Sequence, residues 1–315
     1  MIFKPYPGTR KALDLLPAIA PVFRIDTQNG TVHLIGTGFW VTQLGHLVTA
    51  WHVIEENTGS SGMDRGPIFA VQTFPDRSLA VRNFRKSDKH PTFDLALSET
   101  APSPPYEDRP TSPIAMSLDN LRLGEPVFSF AILPLDHAFE NETVPGITTA
   151  EFVGTISGEG MCDRAPISFA ARLSFGHVTE IFDKMRDSRM LPFPCIQTSV
   201  PIYGGNSGGP LFDIRGRICA VHCSSFSGSE VSFHVPIQGV LDLRTRAKSL
   251  GMEDQARTQL SVLELAVEDI VFFDPPMLDV GRPFRSARRW LRHVARRIAG
   301  RELPSRNVHF LKHDR

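Results

Sequence analysis

Gly204-Gly205-Asn206-Ser207-Gly208-Gly209-Pro210 is the stretch that decides the fold of this 315-residue sequence. A serine stands in a run of glycines, with apolar, strand-like sequence on both sides. Glycine lets the backbone turn sharply and approach another group closely. Such a turn can direct two backbone N–H groups at one point, which is what an oxyanion hole requires. Taken alone, the stretch is also compatible with an ordinary tight turn, so other segments have to discriminate.

Two earlier segments supply the residue types that a serine nucleophile needs. Residues 45–54 read as an apolar strand that ends in Thr-Ala-Trp and is followed by His52. Residues 92–97 place Asp94 at the start of an alternating strand, which the nearby Asp76 and Asp88 do not share. A serine hydroxyl needs a neighbouring base, histidine titrates near neutral pH, and a carboxylate can orient the imidazole. The three residue types occur in the order His, Asp, Ser.

With these motifs in order, the sequence resembles the trypsin-like (chymotrypsin-fold) serine peptidases, and within them the bacterial HtrA/Deg-like branch. The resemblance spans roughly residues 17 to 245. It is carried by residues 49–53 (TAWHV), 93–96 (FDLA), 197–199 (QTS) and 205–211 (GNSGGPL), and by a strand pair at 218–221 and 231–236. It implies that His52 is the general base, Asp94 its orienting partner and Ser207 the nucleophile, with the amides of Gly205 and Ser207 forming the oxyanion hole.

One position departs from many digestive members of that family. Asn206 stands where they have an aspartate that pairs with a freed N terminus after zymogen cleavage. The departure implies that this chain has no zymogen switch of that kind, as in the HtrA-like branch.

Many short strands between turn signals predict an all-β protein. The predicted strands are residues 18–26, 31–42, 46–51, 67–74, 78–85, 93–98, 126–132, 150–157, 167–175, 194–200, 210–213, 216–224 and 230–236. The resemblance implies two six-stranded Greek-key barrels, chymotrypsin-like, with the catalytic groups in the cleft between them and a C-terminal helical extension.

The expected domain organisation follows from that resemblance. Its parts are an N-terminal lead (1–16), a peptidase domain (17–245) with barrel one at about 17–100 and barrel two at about 114–240, and a C-terminal extension (246–315). The proline-rich residues 101–113 are interpreted as the linker between the barrels, with a polyproline ligand as the alternative.

The resemblance also implies the position of the primary specificity pocket. Its residues are Pro201, six positions before the nucleophile, with Ile202 and Tyr203 beside it, and Cys223, Ser224, Ser225 and Ser232 on the opposite wall. None of the seven carries a charge, so a buried lysine or arginine of a substrate would lack a carboxylate partner. We therefore expect cleavage after small or medium apolar residues.

Past residue 245 the resemblance ends. Residues 241–250 look like the terminal helix that closes the peptidase fold, and no PDZ-like domain is expected to follow. Within residues 284–299, five apolar residues recur at helical spacing and five arginines crowd the other face. Such a helix predicts docking on an anionic membrane surface or on a protein partner, with packing on the protein's own body as the alternative. A single basic helix without a recognised motif disfavours nucleic acid as the partner.

Composition bears on partners and compartment. Lysine plus arginine equals aspartate plus glutamate at 34 each, so no charge excess favours nucleic acid. No stretch approaches the ~20 apolar residues that span a bilayer, and the N terminus does not resemble a secretory signal. The four cysteines are expected to be free and buried. These features predict a cytoplasmic enzyme, and a serine triad needs no metal or organic cofactor.

Three alternatives stay open. A peptidase-fold binding module, or a protease latent until a partner orders its oxyanion loop, would keep all of these residues. Gly205-Asn206-Ser207-Gly208-Gly209 also satisfies the Gly-x-Ser-x-Gly pattern of α/β-hydrolases, although those enzymes have the order Ser, acid, His. Eleven histidines permit a metallohydrolase, but no His-Glu-x-x-His or paired-Cys spacing occurs.

Overall fold

The structure is a computed structural model. It describes residues 15–26, 29–57, 66–74, 78–103, 109–134, 149–156, 165–225, 231–251, 258–268 and 270–274. The predicted basic helix at 284–299 lies outside the described residues, as do Cys162 and Asp76.

Six antiparallel strands form the first barrel. They are β1 (Ile19–Asp26), β2 (Thr31–Trp40), β3 (His46–Thr49), β4 (Ile68–Thr73), β5 (Leu79–Lys89) and β6 (Ala96–Pro102). Neighbours follow the order β1-β2-β3-β6-β5-β4, and the pairing of β1 with β4 closes the ring. Phe23, Phe39 and Phe69 are buried in the main hydrophobic cluster, as expected of aromatic residues on an inward strand face.

The second barrel contains strands of uneven length, from 4 to 18 residues. They are β7 (Pro126–Leu133), β8 (Thr149–Ile156), β9 (Ala165–Phe182), β10 (Cys195–Thr198), β11 (Pro210–Asp213), β12 (Ile218–Ser225) and β13 (Ser232–Pro236). Neighbours follow the order β7-β9-β10-β13-β12-β11, closed by the pairing of β11 with β7. The 18-residue β9 also pairs with β8.

Both rings have the same strand order. When the six ring strands of each barrel are numbered along the chain, neighbours read 1-2-3-6-5-4 in both, and β8 is an addition to the second ring. Every paired strand in the two barrels is antiparallel. This arrangement confirms the predicted pair of six-stranded Greek-key barrels and excludes an α/β-hydrolase sheet.

Two predicted strands differ from the structure where the site lies. The strand predicted over residues 46–51 ends at Thr49, and a short helix, α1 (Trp51–Glu55), follows it. The strand predicted over residues 93–98 begins only at Ala96 and extends to Pro102. His52 is therefore in a helical turn and Asp94 in a bend before β6, because local hydrogen bonds outweigh the alternating pattern at both places.

The chain after β13 contains short elements. Two 3₁₀ helices, Ile237–Asp242 and Ala247–Leu250, lie on either side of β14 (Arg244–Arg246), which pairs with β15 (Gln259–Ser261). The helix α2 (Val262–Val267) begins with a capping box between Ser261 and Glu264. A single terminal helix over residues 241–250 was thus a wrong prediction, since strand pairing interrupts it. No helix in the described ranges is both long and apolar enough to cross a bilayer.

This C-terminal segment packs on the body of the protein. Ala247, Leu250, Leu260, Val262 and Leu265 are all buried within the main hydrophobic cluster. The domain boundary at residue 245 remains a prediction, and apolar packing continues across it.

Candidate active site

His52 and Asp94 form a two-point contact. The ring Nδ1–H of His52 donates to Asp94 Oδ2 over 2.6 Å, and the backbone N–H of His52 donates to Asp94 Oδ1 over 2.9 Å. Both carboxylate oxygens are thereby directed at one residue. This geometry leaves Nε2 of the ring as the atom that can accept a proton. Of the neighbouring aspartates, Asp88 instead pairs with Lys86.

The bend that carries Asp94 is held by a histidine that sequence reasoning missed. His90 Nδ1 accepts hydrogen bonds from the backbone amides of Thr92 and Phe93, over 3.0 and 2.9 Å. The amide of His90 donates to the carbonyl of Leu95, which closes the bend. The sequence signal was present as a histidine four residues before the aspartate, but only the fold shows that the ring caps backbone amides.

The electrostatics of His52 favour the protonated ring. Burial acts to lower the pKa of His52, but the hydrogen bond to Asp94 and the charges of Asp94 and Glu56 outweigh it, so the pKa lies above the ordinary 6.5. A general base with a raised pKa is stronger. The cost is that the ring is protonated, and cannot act as a base, over a wider acid range.

The candidate nucleophile lies in a loop of consecutive turns. In this nucleophile loop (residues 203–210), the amide of Asn206 donates to the carbonyl of Tyr203 over 3.0 Å. The amide of Gly209 donates to the carbonyl of Asn206 over 2.9 Å, so Ser207 lies inside the second turn. The sequence-predicted turn at the glycine run is therefore present.

The nucleophile loop is attached to the first barrel by Thr37 of β2. The Thr37 amide donates to the carbonyl of Ser207 over 2.8 Å, and the Thr37 hydroxyl donates to the carbonyl of Gly205 over 2.6 Å. Gly36, the preceding residue, packs against both Ser207 and Val53, because a Cβ there would lie 3.0 Å from the Ser207 carbonyl and 2.7 Å from the Val53 methyls. Gly36 thus contacts both Ser207 and α1, the helix that carries His52.

The loop leaves two amides available. Within the described ranges, the N–H groups of Gly205 and Ser207 donate to no other group of the chain. Gly205 adopts φ +95°, a conformation that favours glycine. Two free amides two residues apart are the arrangement expected of an oxyanion hole. In the same described part of the chain, the Ser207 hydroxyl has no hydrogen-bond partner, His52 included.

Comparison with known proteins identifies the family. The family model of the trypsin-like peptidase domain matches residues 36–221, which is more than half of the chain and contains His52, Asp94 and Ser207. The chain belongs to the trypsin-like peptidase family. The resemblance to HtrA/Deg proteins is confirmed as well, since relatives of this trypsin-like peptidase are named as Do-like and DegP-like proteases.

Two curated relatives and one solved structure illustrate the likeness. "Protease Do-like 5, chloroplastic" of Arabidopsis thaliana is 27% identical over 235 residues, which cover 69% of this chain and 58% of that protein. A "Probable periplasmic serine endoprotease DegP-like" of Pseudomonas fluorescens is 34% identical over 91 residues, 28% of this chain and 19% of that protein. The trypsin-like peptidase chain thus spans little more than half of the first relative's length.

A crystal structure of Deg5 is 21% identical to this trypsin-like peptidase, with a TM-score of 0.48, and covers 71% of this chain and 86% of that chain. The strand order of the two barrels, rather than this likeness, defines the fold.

The expected cytoplasmic location is contradicted by the same relatives. They are named as chloroplastic and periplasmic proteins. The expectation rested on an N terminus unlike a secretory signal and on sparse cysteines. Cys195, Cys219 and Cys223 are indeed free and buried, but a buried thiol that has no partner within bonding distance stays reduced in any compartment, so it does not identify one.

The seven predicted pocket residues of this trypsin-like peptidase lie on three segments, which are the loop at 201–203, the end of β12 and the start of β13. Ser225 and Ser232 are paired across β12 and β13, and the buried hydroxyl of Ser232 donates to the carbonyl of Val200. That bond brings the start of β13 beside Pro201. The other six residues differ in solvent exposure. Cys223 is buried and Ser225 is exposed, and four are half-buried: Pro201, Ile202, Tyr203 and Ser224.

Within the described ranges, no three His, Cys, Asp or Glu side chains are grouped so that they could hold a metal ion.

Proposed function

We propose that this trypsin-like peptidase domain acts as a serine endopeptidase with the triad His52, Asp94 and Ser207. The observation that carries the proposal is the two-point contact between His52 and Asp94, next to a loop with two free amides. A histidine held in one tautomer beside a serine is the arrangement that activates a hydroxyl. The names of the relatives, serine endoproteases among them, support the same activity.

The reaction runs through an acyl-enzyme. Ser207 Oγ attacks the carbonyl carbon of the scissile peptide bond while His52 Nε2 takes the hydroxyl proton. The negative oxygen is bound by the amides of Gly205 and Ser207. Collapse breaks the C–N bond, and His52 gives its proton to the leaving amine. Water, deprotonated by His52, then releases the acyl group and restores Ser207.

The proposed substrates are proteins or peptides cleaved after small or medium apolar residues. The uncharged segments around Pro201 and Ser225 support this specificity, because they offer no carboxylate to a basic side chain. The hydroxyl of Ser232 is already engaged by the carbonyl of Val200, which leaves it poorly suited to bind a substrate. A peptide library cleaved chiefly after arginine or lysine would contradict the specificity but leave the peptidase activity intact.

A second candidate is a latent peptidase or a peptidase-fold binding module. One observation favours it: the Ser207 hydroxyl has no partner among the described residues, although His52 is oriented. Catalytic hydrogen bonds are often long before substrate binds, so a competent enzyme is compatible with the same geometry. The basic helix predicted at 284–299 would then be the docking element for a membrane surface or a protein partner.

Labelling with a fluorophosphonate probe separates the two candidates. We expect the purified protein to be labelled, and the variants Ser207→Ala and His52→Ala to lose labelling while near-UV circular dichroism shows that both remain folded. Labelling that survives in Ser207→Ala would refute the assigned nucleophile. A folded wild-type protein that is not labelled would favour the latent module.

A further inference from the structure

Two buried histidines lie beneath the nucleophile loop. His222 of β12 and His234 of β13 are register partners and are 1% and 0% exposed. Their Nδ1 atoms are 2.8 Å apart. At the outer ends, His222 Nε2 is 2.5 Å from the hydroxyl of Ser129, and His234 Nε2 is 2.7 Å from the hydroxyl of Thr198. The result is a continuous hydrogen-bonded chain of four buried side chains from β7 to β10.

The chain of hydrogen bonds restricts where its protons lie. Only one of two facing Nδ1 atoms can carry the hydrogen of the bond between them, so each neutral ring carries one N–H and the N–H groups follow one direction. Burial lowers the pKa of His222 to about 3, and burial together with the neighbouring ring lowers the pKa of His234 well below 6.5. Both rings are therefore neutral near neutral pH.

His222, an inner member of this hydrogen-bonded chain, supports the nucleophile loop. The amide of Gly208 donates to the carbonyl of His222 over 2.8 Å, and the amide of His222 donates to the carbonyl of Gly209 over 2.9 Å. The ring itself lies directly under the loop, since a Cβ on Gly209 would be 3.2 Å from His222 Cδ2. A movement of the His222 ring would thus be transmitted to the residues that follow Ser207.

Thr198, at one end of the chain, supports the segment that leads to the predicted pocket. The hydroxyl of Thr198 accepts a hydrogen bond from the amide of Val200 over 3.2 Å. The carbonyl of Val200 accepts the hydroxyl of Ser232. Val200 directly precedes Pro201, so the histidine pair joins the nucleophile loop to the proposed pocket through one set of contacts.

Apolar side chains could fill the same space without the free-energy cost of burying polar groups. Buried polar groups require complete hydrogen bonding, and well-packed apolar replacements are often as stable. A hydrogen-bonded chain of polar side chains differs in that its directional bonds hold those side chains in one relative arrangement. Because His222 of this chain contacts the nucleophile loop and Thr198 contacts the pocket segment, its fixed geometry is useful at those two places.

We propose that His222 and His234 are positioning residues, which hold the nucleophile loop and the segment around Val200 in one fixed relation. The inference rests on the proposed peptidase function for its catalytic consequence. The pair itself does not touch the reacting atoms and acts through the backbone of Gly208, Gly209 and Val200.

Two substitutions within the hydrogen-bonded chain of side chains, and one matched control, test the proposal. Ser129→Ala removes the outermost partner and is mild enough to fold, and His234→Gln keeps a group near Thr198 but removes the contact with His222. His46→Gln is the control, because His46 is also buried and hydrogen-bonded, to Thr42 and Ser249, but contacts the first barrel and the C-terminal segment instead.

The first readout does not depend on activity. We expect hydrogen exchange of the Gly208 amide to accelerate on the order of tenfold in Ser129→Ala and His234→Gln, as on loss of about one hydrogen bond, and to be unchanged in His46→Gln. Nitrogen-15 spectra of the wild-type rings at neutral pH should show one protonated nitrogen in each of His222 and His234. Exchange that matches the control, or spectra in which either ring carries two protons, would overturn the proposal.

The second readout is turnover per folded molecule. We expect kcat to fall on the order of tenfold in Ser129→Ala with KM little changed, because misplaced oxyanion donors weaken binding of the transition state alone. A purely structural role would lower the folded fraction and leave kcat per folded molecule equal to that of the control. If the wild-type protein neither labels nor turns over but the exchange pattern holds, the peptidase function fails and the positioning of the loop stands.

Discussion

Asp94 has two consequences for His52 because each of its oxygens makes a different bond. The bond to Nδ1–H selects the tautomer with a free Nε2, and the bond to the backbone amide holds the start of α1. The same carboxylate raises the pKa of His52 against the effect of burial. Orientation and basicity of the candidate base therefore depend on one residue.

The pH dependence of activity should report this pair. Because only neutral His52 can accept the Ser207 proton, kcat/KM should rise with pH through a midpoint above 6.5. Asp94→Asn removes the nearest charge and leaves only the charge of Glu56 to oppose the effect of burial on the pKa of His52, so the midpoint of the variant's residual activity should move down. Its kcat should fall on the order of 10⁴-fold, as expected when a triad loses the correct tautomer. A wild-type midpoint at or below 6.5, or an unchanged midpoint in the variant, would contradict the assignment.

His90 should matter through the Asp94 bend. His90→Ala removes the acceptor for the amides of Thr92 and Phe93, and we expect a loss of about 1–2 kcal/mol in the free energy of unfolding together with a lower kcat. His90→Asn offers a carbonyl oxygen near the position of Nδ1 and should recover part of both. Urea unfolding and initial rates measure the two effects. If the two variants behave alike, the ring does not act as a cap.

Between elements, the nucleophile loop and the first barrel fit together through glycine. Gly208 adopts φ +82°, and its missing Cβ allows contact with Thr49 and Ala50, directly before α1. The Thr49 hydroxyl donates to the Thr37 carbonyl over 2.7 Å, which links β3 to the strand that binds the loop. The positions of Ser207 and His52 are thus coupled by backbone contact between the barrels.

Alanine at two glycines separates strain from contact. Gly124 has φ +77° with no atom within 4 Å of a Cβ, whereas a Cβ on Gly208 would be 2.5 Å from the Ala50 amide nitrogen. Gly124→Ala should therefore cost only the left-handed strain, about 1–2 kcal/mol of unfolding free energy, and leave kcat unchanged. Gly208→Ala should cost more and reduce kcat strongly. Thermal unfolding and fluorophosphonate labelling compare them, and equal effects would argue against the inter-barrel contact.

At the scale of the whole molecule, the C-terminal segment contacts both barrels. The Thr245 hydroxyl donates to Glu99 of β6 over 3.0 Å, and Ser249 is 3.0 Å from His46 Nε2 of β3. Further along, the buried Arg217 of the β11–β12 turn donates to the carbonyl of Asp274 over 2.5 Å. The segment therefore spans the two barrels and packs on the shared core.

Acid should destabilise the folded protein through its buried histidines. Burial lowers the pKa of His46 to about 4 and of His222 to about 3, and lowers that of His234 as well. Below pH 6.5 the unfolded chain binds protons that the folded chain excludes. The free energy of unfolding therefore decreases as the pH is lowered, by at most about 1.4 kcal/mol per pH unit for each histidine. His52 has the opposite sign, since its raised pKa adds stability below 6.5 that is lost as pH rises through that pKa.

Urea unfolding between pH 7 and pH 4.5 measures this dependence. The loss of stability should be steepest below pH 6.5, and His46→Gln should flatten it because one depressed group is removed. A slope that is identical in the variant would show that His46 does not contribute.

The sequence by itself determined the class of fold and the identity of the candidate triad. Strand periodicity located the strands of both barrels, because alternation of apolar and polar residues follows from packing one face of a sheet. The motifs around His52, Asp94 and Ser207 indicated the family, because the chemistry requires particular residue types and glycines at adjacent positions in the sequence. The predicted cytoplasmic location was wrong because it rested on the absence of a secretory signal. The predicted single helix over residues 241–250 was wrong because it rested on local propensity.

Only the tertiary structure decided how these residues meet. The attachment of the loop by Thr37, the capping of the Asp94 bend by His90 and the pairing of His222 with His234 join positions that are distant in the chain or adopt non-repeating turns. No periodicity marks such contacts. They arise because the closure of two barrels brings strand ends together, and buried polar groups there must find partners.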